Sequence, residues 1–251
     1  MEYVLLTALG IGGATIVGAI LGFAIKTVSH KFSDIILGFA AGVMMCAAIV
    51  GLILPSLESE SNYTILTTTV GIFCGAIVLN LIDKLVPHLH RLVGKDSEEH
   101  PIKNERVGKI WLFVLAIAIH NFPEGIAAGV GFGGGNTAEA LTIAGGIALQ
   151  NIPEGMVIIA PMLFAGISRR RAFLVAASTG IIEVIGTIIG YFAVSISSAI
   201  LPFALAFAGG TMLYIISDEM IPETHSHGNE RGATYALLFG FCLMLVVDYI
   251  L

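Results

Sequence analysis

Two copies of one short motif lie thirty residues apart in apolar sequence: His120-Asn121-Phe122-Pro123-Glu124-Gly125 and Gln150-Asn151-Ile152-Pro153-Glu154-Gly155. Each plants a carboxylate, amide or imidazole neighbours and a proline where a membrane segment should hold only apolar residues. Ionisable groups in such segments are costly and mark substrate or ion paths. The mixture of imidazole, carboxylate and amide suits Zn²⁺, Fe²⁺ or Mn²⁺ better than a thiolate-seeking ion such as Cu(I).

Helical phase decides which of these side chains can share an ion. Residues three or four apart lie on one helix face. His120 and Glu124 therefore converge, as do Asn121 and Glu124, Gln150 and Glu154, and Asn151 and Glu154. Each glutamate can bridge two adjacent positions, one built with His120 and Gln150, the other with the two asparagines. Glu183, at similar depth in the following apolar segment, can complete the second position. Pro123 and Pro153 lack an N–H and leave the carbonyls of Ile119 and Leu149 without their usual partners, which kinks the helices and frees backbone oxygens. The alternative is a pair of kinked helices whose polar groups bond one another. Two facing carboxylates would still need protons or a cation.

The elements that must position these groups are membrane helices. Hydrophobic residues make up 56% of the 251 and charged residues only 12%, about half the charge of a soluble domain. Eight apolar stretches, at residues 3–25, 35–57, 63–82, 110–130, 140–167, 172–196, 199–216 and 233–251, are long enough to cross a bilayer core of about 30 Å. The expected fold is an all-α integral membrane protein, a single transmembrane domain over 1–251. It is a tight bundle of eight helices with spans 4 and 5 kinked at proline and a polar loop at 84–109. His120 and Gln150 each lie ten residues into their spans, roughly 15 Å along a helix, so both arrive near the midplane.

All twelve basic residues (for example Lys31, Lys84, Arg170 and Arg231) fall on one side of this arrangement. The positive-inside rule makes that side cytoplasmic and puts both termini outside. The first span has no basic leading region, begins Met1-Glu2 and reads as a span rather than a signal peptide. Cys46, Cys74 and Cys242 sit in separate spans without metal-ligand spacing and read as packing residues. Glycine pairs at four-residue spacing (18/22, 38/42, 71/75, 125/129 and 186/190) let helices approach closely. The net charge of −6 lacks any basic, aromatic-interleaved patch, so a nucleic-acid partner is not expected. Glu58, Glu60 and Glu139 on the outward side favour a cation at the entrance.

These motifs resemble the ZIP (Zrt/Irt-like) family of divalent-metal transporters, in particular its GufA-like prokaryotic branch. The two motifs match that family's fourth and fifth helices, and Glu183 its sixth, so the resemblance spans the whole chain. It implies a primary metal site of His120, Glu124, Gln150 and Glu154, with Asn121, Asn151 and Glu183 forming its neighbour. It further implies Met44 of span 2 near the metal (Met45 as fallback), a homodimer in the cell membrane, and spans 1, 4, 5 and 6 sliding against spans 2, 3, 7 and 8. Zinc, iron, manganese or cadmium would be cargo carried into the cytoplasm, with no prosthetic group. Gln150 departs from the HExxH-like variants of one eukaryotic branch, which leaves the preferred metal open.

Weaker candidates are His88, His90 and His100 in the polar loop and His225 and His227 between spans 7 and 8, which could collect departing metal. Asp218, Glu219 and Glu223 suggest either an exit vestibule or interfacial charge. Asp34 and Asp248 read as hydrated span ends. An integral membrane zinc hydrolase is the alternative function, weakened by the lack of any HExxH helix or accompanying nucleophile. A proton-coupled carrier of organic solute would leave the doubled amides and imidazole idle. The topology has a direct check. Single cysteines replacing Glu60 and Arg170, in a chain without native cysteines, should label from opposite membrane faces; labelling from one face excludes eight spans.

Overall fold

Long apolar runs rich in Ala, Leu, Ile and Gly give helices throughout the chain. The structure is a computed structural model describing residues 1–24, 29–58, 62–93, 101–135, 137–164, 166–196 and 198–250, and among these there is no strand. The helices are α1 (Glu2–Ala24), α2 (His30–Cys46), α3 (Leu54–Ser56), α4 (Thr64–Val93), α5 (Pro101–Gly131), α6 (Thr137–Phe164), α7 (Arg169–Ile196), α8 (Leu201–Ile215), α9 (Ile221–Thr224) and α10 (Glu230–Ile250). Seven segments among the described residues are long and apolar enough to cross a membrane: α1, His30–Ser56, the first part of α4, most of α6, α7, Leu201–Thr224, and α10. The first motif rides on α5, a further helix of 31 residues, which continues through Pro123. α6 likewise continues through Pro153.

Three expectations are corrected. The polar loop at 84–109 is largely helical: α4 persists to Val93 and α5 begins at Pro101. Proline is tolerated in a first helical turn because no N–H is needed there, and Lys, Arg and Glu are good helix formers outside lipid. Residues 94–100, His100 included, lie outside the described residues. The seventh apolar stretch does not stop at Ile216 but continues to Thr224 through a π-helix, Ile216–Met220. A second π-helix, Ala47–Ile53, joins α2 to α3. Each is followed within two residues by a proline, Pro55 or Pro222. The wider turn accommodates a ring that would otherwise strike the carbonyl four residues back. Asp34, finally, is 2% exposed rather than hydrated. Its carboxylate takes His227 Nδ1 at 3.0 Å and accepts from Asn229 Nδ2 at 2.9 Å, tying α2 to the turn before α10.

The glycine pairs set the packing. A Cβ at Gly18 would lie 2.2 Å from the carbonyl oxygen of Ile152, one at Gly155 2.2 Å from that of Thr15, and one at Gly125 2.2 Å from that of Glu183. α1, α5, α6 and α7 are thus joined backbone to backbone. In a second set, α2 is joined to α10 and α4 to α8 the same way: Gly42 faces the carbonyl of Leu237 and Gly240 that of Phe39, while Gly75 faces that of Phe207. Between the sets, glycines face side chains instead, Gly51 against Ile143 and Gly146 against Met244. One apolar cluster fills that boundary, with Ala40, Met44, Ala48 and Leu52 from the second set against Ala127, Ala128 and Ile147 from the first.

Gly42→Ala would bring a methyl to 1.9 Å from backbone, whereas an alanine at Gly13 meets nothing within 4 Å. Overpacking of this kind costs about 1–3 kcal/mol or more. Gly42→Ala should lower the melting temperature of detergent-purified protein by several degrees, while Gly13→Ala leaves it unchanged or higher.

Candidate metal site

The motif residues converge where α5, α6 and α7 meet against α1. Glu183, Gln150 and Asn151 are fully buried, Glu124 likewise, Asn121 is 1% exposed and Glu154 8%. This depth in apolar surroundings obliges every polar atom to find a partner. Gln150 Nε2 donates to Glu124 Oε1 at 2.7 Å, joining the two motifs across α5 and α6. Asn151 Nδ2 donates to Glu183 Oε2 at 2.6 Å and to the carbonyl of Ile11 at 3.2 Å. Asn121 Nδ2 donates to Glu183 Oε1. Thr15 Oγ1 of α1 donates to that same oxygen at 2.9 Å.

The oxygens left over are informative. Asn121 Oδ1, Glu124 Oε2, Gln150 Oε1 and Asn151 Oδ1 are buried and accept no hydrogen bond. The amide nitrogens are spent on carboxylates, so the amide oxygens remain bare acceptors beside a bare carboxylate oxygen. A cation satisfies such a set; a further donor side chain would serve only one of them. Among the described residues no group of three or more His, Cys, Asp or Glu is poised to hold a metal. Any metal here would therefore draw on the amides as well as on the acids.

The placement of individual candidates varies. His120 lies on α5 with Nε2 2.8 Å from Glu219 Oε2, in the Ile216–Met220 π-helix. That is an ion-pair distance, yet the nitrogen makes no hydrogen bond, so the contact is electrostatic rather than directional. His120 also lies within electrostatic reach of Glu154. The structure thus brings His120 toward the α8–α9 segment as well as toward the glutamates. Sequence reading had placed Glu219 only as a vestibule or interfacial charge; its π-turn, which sets it facing α5, has no simple sequence signature. Asp218 accepts from Tyr214 Oη at 3.2 Å, and Tyr214 accepts from Asn80 at 2.8 Å. Met44 is fully buried in the boundary cluster with Leu52, Met212 and Ile147, the surroundings of a packing methionine. His225 lies 2.7 Å from the carbonyl of Ile221 and His227 pairs with Asp34, so both hold local structure. The side chains of His88 and His90 lie outside the described residues.

Thr15 was not legible beforehand. A lone threonine in a glycine- and alanine-rich helix carries no spacing signal, and its contact with Glu183 shows only once α1 lies against α7.

A family model described as "ZIP Zinc transporter" matches residues 90–248. The chain is 39% identical to "Zinc transporter GufA" of Myxococcus xanthus over 97% of both chains. It is 36% identical to "Zinc transporter ZupT" of Chlorobaculum parvum, covering 94% of this chain and 92% of that one. It is 31% identical to "Zinc transporter ZIP11" of Homo sapiens, over 94% and 93%.

If the bare oxygens are the ligands, Glu124→Gln should abolish tight Zn²⁺ binding by the purified protein in titration calorimetry. His120→Ala should weaken it about ten-fold or more, the range seen when one metal-site interaction is removed. Wild-type affinity in both variants would exclude the site.

Proposed function

The chain belongs to the ZIP zinc transporter family, and from that premise we propose that it carries a divalent transition metal, zinc foremost, across the cell membrane into the cytoplasm. Iron, manganese and cadmium suit the same donors and are secondary cargo. The observation that carries this reading is the group of buried oxygens without donors on α5 and α6. The family is one of transporters, and nothing in the relatives supports the alternative of a zinc hydrolase.

In this reading His120, Glu124, Gln150 and Glu154 form the primary cargo position. The carbonyl oxygens of Asn121 and Asn151 share the two glutamates at the neighbouring one, with Glu183 behind them, so the centre is binuclear. Met44 approaches from the second set of helices. α5 is counted as a span, giving eight with both termini outside. Zinc is the substrate, and no step of the mechanism needs a resident metal.

Alternating access follows from how the helices are joined. The cargo residues sit on α5, α6 and α7, which share backbone-to-backbone packing with α1, and the second set meets them through side chains. A body with firm internal joints and a softer boundary can slide as a unit, carrying the site past α2, α4, α8 and α10. Glu219 beside His120 offers metal a next carboxylate toward the cytoplasmic end of the path. Two copies of the chain form a homodimer around exposed apolar faces that otherwise meet lipid.

Carboxylates must be deprotonated to bind metal, so affinity falls as pH drops and protons compete. The test is ⁶⁵Zn²⁺ uptake into proteoliposomes. Wild type should show time-dependent uptake that weakens at acidic pH, and Glu124→Gln should show none. No uptake by a folded, zinc-binding wild type would overturn transport.

A further inference from the structure

Helical threonines in this protein mostly fold back on their own helix. Thr69, Thr142, Thr179, Thr187 and Thr211 each donate to a carbonyl three or four residues earlier. That local bond is the default for a hydroxyl with no water nearby. Thr15, 1% exposed on α1, is different: its hydroxyl crosses to Glu183 Oε1 at 2.9 Å. The crossing follows from α1 lying against α7 without an intervening side chain, with Gly12 under the carbonyl of Gly180 and Gly180 under that of Gly12.

Glu183 is the hub of three groups. Oε1 accepts from Thr15 and Asn121, and Oε2 accepts from Asn151. As the acceptor of all three bonds, the carboxyl group draws the NH₂ end of each asparagine toward itself and turns each amide oxygen away, which is how Asn121 Oδ1 and Asn151 Oδ1 come to lie without donors. A flipped amide would set oxygen against oxygen. The orientation of the two asparagines thus depends on where the carboxylate is held, and of its three donors only Thr15 comes from outside the two motifs.

We propose that Thr15 is a positioning residue for the cargo site: by fixing Glu183 from α1 it orients the Asn121 and Asn151 carbonyl oxygens toward the metal and so sets selectivity among divalent cations. This deepens the proposed function and rests on the site assigned there. Amide oxygens are hard donors, on which Mn²⁺ depends, whereas Zn²⁺ retains the imidazole of His120. Disordering the two amides penalises Mn²⁺ more than Zn²⁺. The selectivity ratio therefore separates positioning from general destabilisation.

The experiment is equilibrium binding of Zn²⁺ and of Mn²⁺ to the full-length protein in detergent, with Glu124→Gln as reference. Thr15→Val, equal in shape and lacking the hydroxyl, should weaken Zn²⁺ by roughly three- to ten-fold, the loss expected for one ordinary intramolecular hydrogen bond. It should weaken Mn²⁺ further, and Thr15→Ser should restore both within about two-fold, as befits a retained hydroxyl. In a Glu183→Gln background Thr15→Val should lose most of its added effect. If Thr15→Val yields no folded protein, Thr15→Ala must show the same change in the Zn²⁺/Mn²⁺ ratio. An unchanged ratio in the folded variant, or failure of serine to restore it, overturns the proposal. The site itself fails separately: Glu124→Gln binding metal like wild type would remove it, whereas loss of binding there beside an unaltered Thr15 variant removes only the role of Thr15.

Discussion

Three carboxylates share one enclosed volume, and the structure is organised around making that tolerable. Glu124, Glu154 and Glu183 lie close enough to act on one another electrostatically, in surroundings where like charges repel far more strongly than in water. Each is handled differently. Glu183 accepts three hydrogen bonds from neutral donors, which replace the hydration it gave up. Glu124 has one oxygen bonded to Gln150 and the other bare. Glu154 is the most exposed of the three and answers to His120. On the proposed reading the satisfied acid holds ligands in place and the two incomplete ones bind cargo.

That division explains where glycine is spent. Glu183 can be reached from α1 and α5 only if α7 lies almost in contact with both. Gly125 under the carbonyl of Glu183, and Gly12 against Gly180, provide that approach. The same device recurs among α2, α4, α8 and α10, away from the cargo residues. Close backbone packing in a membrane gains dispersion contacts that lipid cannot offer as well. It also makes each set rigid, since a sub-ångström shift at such a joint meets carbonyl oxygen rather than a movable side chain.

Much of this was legible in the sequence because it repeats at helical spacing. The facing motifs, the depth of Glu183 and the glycine pairs are all local or periodic signals. What was missed depends on non-local geometry. The two π-helices arise where a proline follows an otherwise continuous apolar run, so Pro222 and the acids before it looked like a helix end. Glu219 reaches His120 because of that turn. Asp34 looked like a hydrated terminus because its partners, His227 and Asn229, lie almost two hundred residues away. Helix in the polar stretch after residue 82 was missed for a different reason: hydropathy marks where lipid ends, and a helix needs no lipid to continue.

Charge balance gives the amides their meaning. On the proposed reading, with a single divalent cation at the primary position, Glu124 and Glu154 set two negative charges against two positive, with Gln150 and the asparagines adding oxygens but no charge. Glu183 would upset that balance if it coordinated directly, and instead its charge is met by dipoles from Thr15, Asn121 and Asn151. The loaded centre is then nearly neutral apart from a carboxylate already solvated by protein. Moving such a centre through a low-dielectric interior avoids most of the cost of moving an unpaired ion. The empty centre lacks this balance, and its two acids must take up protons or hold another cation before the same movement becomes cheap. Neutral amides beside paired acids thus tie the mobility of the site to its occupancy, which is the property an alternating carrier requires.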